Sequence, residues 1–89
     1  MESTYEFKIY IAGQTPKSSY TVERFEQFLK NKFKDQYSLK VIDILQNPEM
    51  AEEDKIIATP SVVKVLPKPS RKIFGDLSDE ERVIKALSL

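Results

Sequence analysis

Between Tyr5 and Leu45 the spacing of apolar residues changes twice, and that change limits the folds open to this chain more than any other feature. In TYEFKIYIAG, the residues Tyr5, Phe7, Ile9 and Ile11 alternate with Glu6, Lys8 and Tyr10, the pattern of a strand with one face toward a core. Residues 18–33 switch to helical spacing. There Val22, Phe25, Phe28, Leu29 and Phe33 share one face, while Glu26 and Lys30 form a favourable i,i+4 pair on the other. YSLKVIDIL then returns to a branched, extended pattern, apolar on both faces around Val41 and Ile42, which predicts a central, buried strand. Gly13-Gln14-Thr15-Pro16 turns the chain between the first two segments, with Thr15 or Ser18 capping the helix.

The second half uses shorter segments. Asn47-Pro48 predicts a helix start, with Asn47 as N-cap and Glu49, Glu52 and Glu53 near the positive end of the dipole. That helix spans about residues 48–57, because Pro60 disfavours helix at Thr59. SVVKVL and KIFGDL read as strands around the turn Pro67-Lys68-Pro69-Ser70. SDEERVIKALSL reads as a helix with a Ser78/Glu81 capping box and an apolar face of Val83, Ile84 and Leu87. The order is β-α-β-α-β-β-α. Its first β-α-β unit should be parallel with a right-handed crossover, and its last two strands an antiparallel hairpin. This predicts an α/β fold of thioredoxin-like architecture, one domain over residues 1–89, with helices on both faces of a four-stranded mixed sheet.

Composition removes whole classes of chemistry. The chain has no cysteine and no histidine, so thiol exchange, imidazole acid–base catalysis and Cys/His zinc sites are excluded. That bears on Thr59-Pro60, which stands before a strand where redox proteins of this architecture place a cis-proline beside their cysteines. Here the proline either shapes a ligand edge as a cis peptide or, in trans, separates a helix from a strand. The turn GQTPKSS holds no thiol, and capping is the simplest role for its hydroxyls. Fourteen basic and fourteen acidic residues cancel, which gives no field for nucleic acid or anionic lipid. No apolar run approaches a membrane span and no signal-peptide pattern opens the chain, so the expected setting is the cytoplasm. Lys55, Lys64, Lys68, Arg71 and Lys72 gather in the second half, a pattern suited to docking on an acidic protein surface. Glu52-Glu53-Asp54 and Asp79-Glu80-Glu81 fall in early helical turns, where acids favour the dipole and do not pair for catalysis. The stripe Phe25, Phe28, Phe33 reads as core. The expectation is a binding protein without enzymatic activity or cofactor.

LKVIDILQNPEMAEEDKIIATPSVVKVLPKPSRKIFGDLSDEERV closely resembles the KaiB family of the cyanobacterial circadian oscillator, and YEFKIYIAGQTPKSS matches its N-terminal half. The resemblance runs from about Tyr5 to Leu89. The sensor domain of the clock-output histidine kinase shares some of these features, with a looser match through RKIFGDLS. Several expectations follow from the resemblance alone. Family members bind the N-terminal ATPase ring of the KaiC hexamer, after which KaiA is captured or output sensor histidine kinases are displaced. The family also switches folds: an inactive tetramer, β-α-β-β-α-α-β, exchanges with the thioredoxin-like monomer that binds KaiC. Two packings of one sequence coexist when they differ by only a few kcal/mol. The resemblance places Lys55, Lys64, Arg71 and Lys72 on the KaiC-facing surface, and Pro60, Pro67 and Pro69 in the switching half, where X-Pro bonds can take either isomer.

Three departures stand out. Tyr20 occupies a first-turn position that is often arginine in the family, Ala86 stands for a usual glycine, and Ser88 for a usual aspartate. Alanine favours helix over glycine by about 0.8–1 kcal/mol. Removing an acid near a helix C-terminus adds roughly 0.3–1 kcal/mol. The chain ends at Leu89, without the acidic tail common in clock members. These features favour the thioredoxin-like monomer. They also admit an alternative function, a KaiB paralogue acting as a stress or signalling adaptor for another ATPase or histidine kinase, independent of timekeeping.

Overall fold

A computed structural model describes residues 4–89. The chain runs β1 (Tyr5–Ile11), α1 (Pro16–Phe33), β2 (Tyr37–Asp43), α2 (Pro48–Glu53), β3 (Ser61–Leu66), β4 (Arg71–Phe74) and α3 (Glu80–Leu87), the expected order. The four strands form one sheet in the order β2-β1-β3-β4. β1 and β2 are parallel, with Phe7 opposite Leu39, whereas β1–β3 and β3–β4 are antiparallel. This is the anticipated α/β mixed sheet.

Alternation along β1 generates two cores. Phe7 and Ile9 pack with Phe25 and Leu29 of α1, Val62 and Ile73 of the hairpin, and Val83 and Leu87 of α3. Aromatic rings fill one end of this layer: Tyr5 and Phe33 lie 4.1 Å apart between centroids, and Phe7 meets Phe25 edge-on at 6.1 Å. Tyr10 points the other way, into a smaller cluster with Ile42, Ala51 and Val63 beneath α2. Each fully buried large side chain contributes about 1.5–3 kcal/mol, so the α1/α3 side carries most of the apolar stabilisation.

Four expectations need correction. β2 is an edge strand, and β1, paired on both sides, takes the centre; Val41 is consequently 47 % exposed. α2 ends at Glu53, several residues early, because the chain turns at Asp54 and enters a left-handed conformation at Lys55 (φ 55). Asn47 stands at the N-cap of α2 as expected, but its side chain makes no capping bond; its amide donates instead to the Asp43 carbonyl at 3.3 Å. α3 is capped by Asp79, whose carboxylate accepts from the Arg82 amide at 3.2 Å. Ser78 cannot form the expected capping box, since its own amide is turned to the Asp76 carboxylate at 2.9 Å. The α1 cap is as expected: Thr15 Oγ1 accepts from the Ser18 amide at 3.1 Å. The peptide bonds before Pro60, Pro67 and Pro69 are cis. No described helix is long and apolar enough to cross a membrane.

Candidate partner-binding surface

The C-terminal end of α2 is where the basic residues of the second half meet the sheet. Asp54 sits at this end, where the helix dipole disfavours a carboxylate. Two donors from β1 hold it there: the Tyr10 hydroxyl and Lys8 Nζ, the latter at 3.1 Å. The Tyr10 hydroxyl also lies 3.2 Å from the Met50 carbonyl. Lys72 of β4 donates to the Asp54 carbonyl at 2.6 Å, with its ammonium 6.0 Å from the Phe74 ring centroid. One residue thus ties α2 to the central strand and to the far edge of the sheet.

The electrostatics match this geometry. Burial raises the Asp54 pKa, but the hydrogen bonds from Tyr10 and Lys8, with the charges of Lys8 and Lys72, outweigh it and hold the carboxyl below its ordinary range. Burial, reinforced by the bond to Asp54 and by that carboxylate's charge, pushes the Tyr10 hydroxyl far above the usual tyrosine value. Tyr10 therefore stays a neutral donor and Asp54 an ionised acceptor across the physiological range.

Periodicity did not reveal this knot. Asp54 was expected among the early-turn acids of a helix reaching residue 57, and the shorter α2 moves it to the opposite end. The available signal was Lys8-x-Tyr10 on the second face of the central strand. A lysine and a tyrosine under a helix both need polar partners for their tips.

The four predicted contact residues do not form one patch. Lys55 is exposed immediately beyond the knot, and Lys72 is exposed but bonded to the residue before Lys55. Lys64 and Arg71 are cross-strand partners, and alternation puts them on the opposite, α1/α3 face. Arg71 is exposed, whereas Lys64 is only 2 % exposed beside Phe7 on the ladder. The residues assigned to conformational choice are also dispersed. Pro67 and Pro69 lie in the exposed β3–β4 turn, while Pro60 is half-buried before β3. Ala86 packs against the larger core. Ser88 closes α3 in a left-handed conformation (φ 56), with the Leu89 amide bonded to the Ile84 carbonyl at 2.9 Å. This is the helix-ending geometry that normally selects glycine.

Residues 8–89 match the family model described as the KaiB domain. The chain belongs to the KaiB family. The circadian clock oscillator protein KaiB of Picosynechococcus sp. is 54 % identical over 89 residues, covering 100 % of this chain and 86 % of that protein. The protein of the same name from Prochlorococcus marinus is 55 % identical over 86 residues, 97 % of this chain and 75 % of the relative. Among solved structures, the N-terminal domain of Synechococcus elongatus SasA superposes with a TM-score of 0.78 at 22 % identity, over 96 % of this chain and 84 % of that one. Chloroplastic thioredoxin z gives 0.67 at 19 % identity, over 84 % of this chain and 68 % of that one. The last two likenesses are of fold. Against the KaiB pattern, the first-turn departure at Tyr20 has a local answer. Arg24, one turn later, donates to the Tyr20 hydroxyl at 2.8 Å and lies 5.6 Å from its ring centroid, which returns a guanidinium to the neighbourhood.

Proposed function

We propose that this chain is a non-enzymatic, clock-type regulator acting in the cytoplasm by docking, as a thioredoxin-like monomer, on the N-terminal ATPase ring of a KaiC-type hexamer. The assembled surface then captures KaiA or displaces output histidine kinases. The tetramer with a rearranged second half serves as the inactive store, and Pro60, Pro67, Pro69, Ala86 and Ser88 set the choice between the two. The observation that carries this reading is identity above half along the full chain to KaiB proteins named for the circadian oscillator. Charge placement supports it: Lys55, Arg71 and Lys72 are exposed on a chain of zero net charge, so local attraction sets orientation and association rate. β4 is a sheet edge, and Arg71 and Lys72 therefore reach a partner from the two faces of one rim. Lys64 contributes from beneath, through its ladder partner Arg71.

Size exclusion with light scattering tests this, using the chain alone and with a KaiC-type hexamer and ATP, beside a Lys55→Glu/Arg71→Glu variant. A free monomer that joins the hexamer, with the variant excluded, is the expected result. A tetramer that never joins contradicts the proposed active state. A monomer that ignores the hexamer moves the reading to an adaptor for another ATPase or kinase.

A further inference from the structure

The free edge of β4 joins unpaired main-chain groups to unneutralised positive charge. The Gly75 amide donates to the Pro60 carbonyl at 2.8 Å, and the β3–β4 register continues that hydrogen-bonded pairing as Val62 with Ile73 and Lys64 with Arg71. In an antiparallel ladder such pairs alternate with pairs whose backbone groups point outward. The amide and carbonyl of Lys72 and the amide of Phe74 therefore face away from β3 and line the rim. None of the three is bonded to another described residue. The outward Phe74 carbonyl is taken by Arg82 at 2.7 Å, which closes the edge at that end. Charge separates this edge from the other. Lys68, Arg71 and Lys72 are exposed along it, and among the described residues none of them is in a salt bridge. β2, at the opposite edge, carries Lys40 alone and ends in Asp43. A second copy of this chain is a poor occupant. Within β4 only Lys72 has both main-chain groups free, so antiparallel pairing of two such edges sets Lys72 against Lys72.

From these features we infer that the β4 edge takes an extended acidic segment of a partner protein as a fifth, antiparallel strand. The inference rests on the reading of the Arg71–Lys72 rim as a partner surface, and it names what meets that rim. Lys72 exchanges both of its main-chain hydrogen bonds with one residue of the segment, whose side chain then lies beside that of Lys72. The next residue of the segment faces Arg71, and the preceding one faces Ile73. The edge thus reads an apolar residue followed by two consecutive acids. Adjacent acids are required because Arg71 and Lys72 project to opposite faces of the sheet, whereas acids two residues apart fall on one face and meet a single cation. The charges that bar a second copy are the ones that admit this partner.

The test is amide NMR with hydrogen exchange on the full chain, titrated with acetyl-Thr-Val-Glu-Glu-Thr-amide. Two controls carry the same charge. One is acetyl-Thr-Glu-Val-Glu-Thr-amide; the other is the first peptide methylated on the nitrogen of its first glutamate, which removes the donor to the Lys72 carbonyl. The first peptide should bind saturably with a Kd on the order of 1 mM, the range open to a few contacts. It should shift the outward amides of Lys72 and Phe74 more than the inward amide of Ile73, and slow their exchange. Each control should bind about tenfold more weakly, the loss of one contact. Arg71→Glu, an exposed change, should weaken the first peptide by a similar factor. The inference is overturned by equal binding of the three peptides, by shifts that do not saturate or do not alternate along β4, by unchanged binding to Arg71→Glu, or by shifts centred on β2. Joining of the hexamer is read separately, by light scattering. A ring that binds while the peptide fails overturns strand addition alone, and a peptide that binds a chain indifferent to the ring supports strand addition and counts only against ring docking.

Discussion

The two halves of this chain are held by different physics. The first builds an 18-residue helix and two seven-residue strands around interlocked aromatic rings. The second is made of shorter elements, α2 of six residues, β4 of four and α3 of eight, held by the burial of Val62, Ile73, Val83 and Leu87 together with a set of polar contacts. Lys8 and Tyr10 hold Asp54, and Lys72 holds its carbonyl. Arg82 donates to the Asp76 and Phe74 carbonyls at 2.6 and 2.7 Å, which fastens α3 to the end of β4. A polar contact contributes only about 0.5–1.5 kcal/mol net, but it is strict about geometry. The first half therefore supplies the aromatic share of the larger core, whereas the second joins it through the smaller side chains Val62, Ile73, Val83 and Leu87 and adds polar contacts that fix its geometry.

The sharpest break of this contrast comes from the first half. Phe25→Ala should lower the unfolding free energy by about 3–5 kcal/mol in urea titration, enough to threaten a domain of this size. Asp54→Asn should cost less, about 1–2 kcal/mol by the same assay, and its cost should shrink in a Lys8→Met background because the two share one contact. An equal loss for Phe25→Ala and Asp54→Asn would erase the distinction between the halves.

Acid sharpens it next. The folded-state pKa of Asp54 lies below its ordinary value of 3.8, so its ties are fully present above that pH and are lost as pH falls toward the lowered value. Solvent screening limits this share to about 1 kcal/mol. Asp76, lowered by its bond from Ser78, titrates in the same direction. Asp54→Asn should therefore flatten part of the acid limb of stability, and Phe25→Ala should leave its slope unchanged. The smallest effects lie in α3. Ala86→Gly should lower the melting temperature through a helix cost of about 0.8–1 kcal/mol. Ser88→Gly should raise stability by about 0.5 kcal/mol by freeing a left-handed position.

The same division decided what could be read from the sequence. Alternation at Phe7 and Ile9 and helical spacing at Phe25, Phe28 and Leu29 specify how area is buried, and area is what periodicity encodes. The element order, the larger core layer and the Thr15 cap were legible for that reason, whereas Tyr10, read with Glu6 and Lys8 on the polar face, belongs to a second core. Sheet position was not. The Val41-Ile42 pair looks central, yet whether a strand has one neighbour or two depends on the whole topology. Caps were also misplaced, because Ser78 and Asp79 are both good caps and the choice turned on Asp76 capturing one amide. The basic residues were legible as a set, but their division between two faces followed from β3–β4 register, and Lys64 proved buried. The Asp54 knot joins residues from distant segments, and local pattern carries only its Lys8-x-Tyr10 half.

The central claim is that the second half rests as β3-β4-α3, with its short helix formed. Backbone chemical shifts of the free chain in solution test it most directly. The account predicts helical carbon shifts across residues 80–87, ending abruptly at Ser88. Strand-type shifts through residues 79–87 would contradict it, and would show that the aromatic first half tolerates a different partner fold as the resting state.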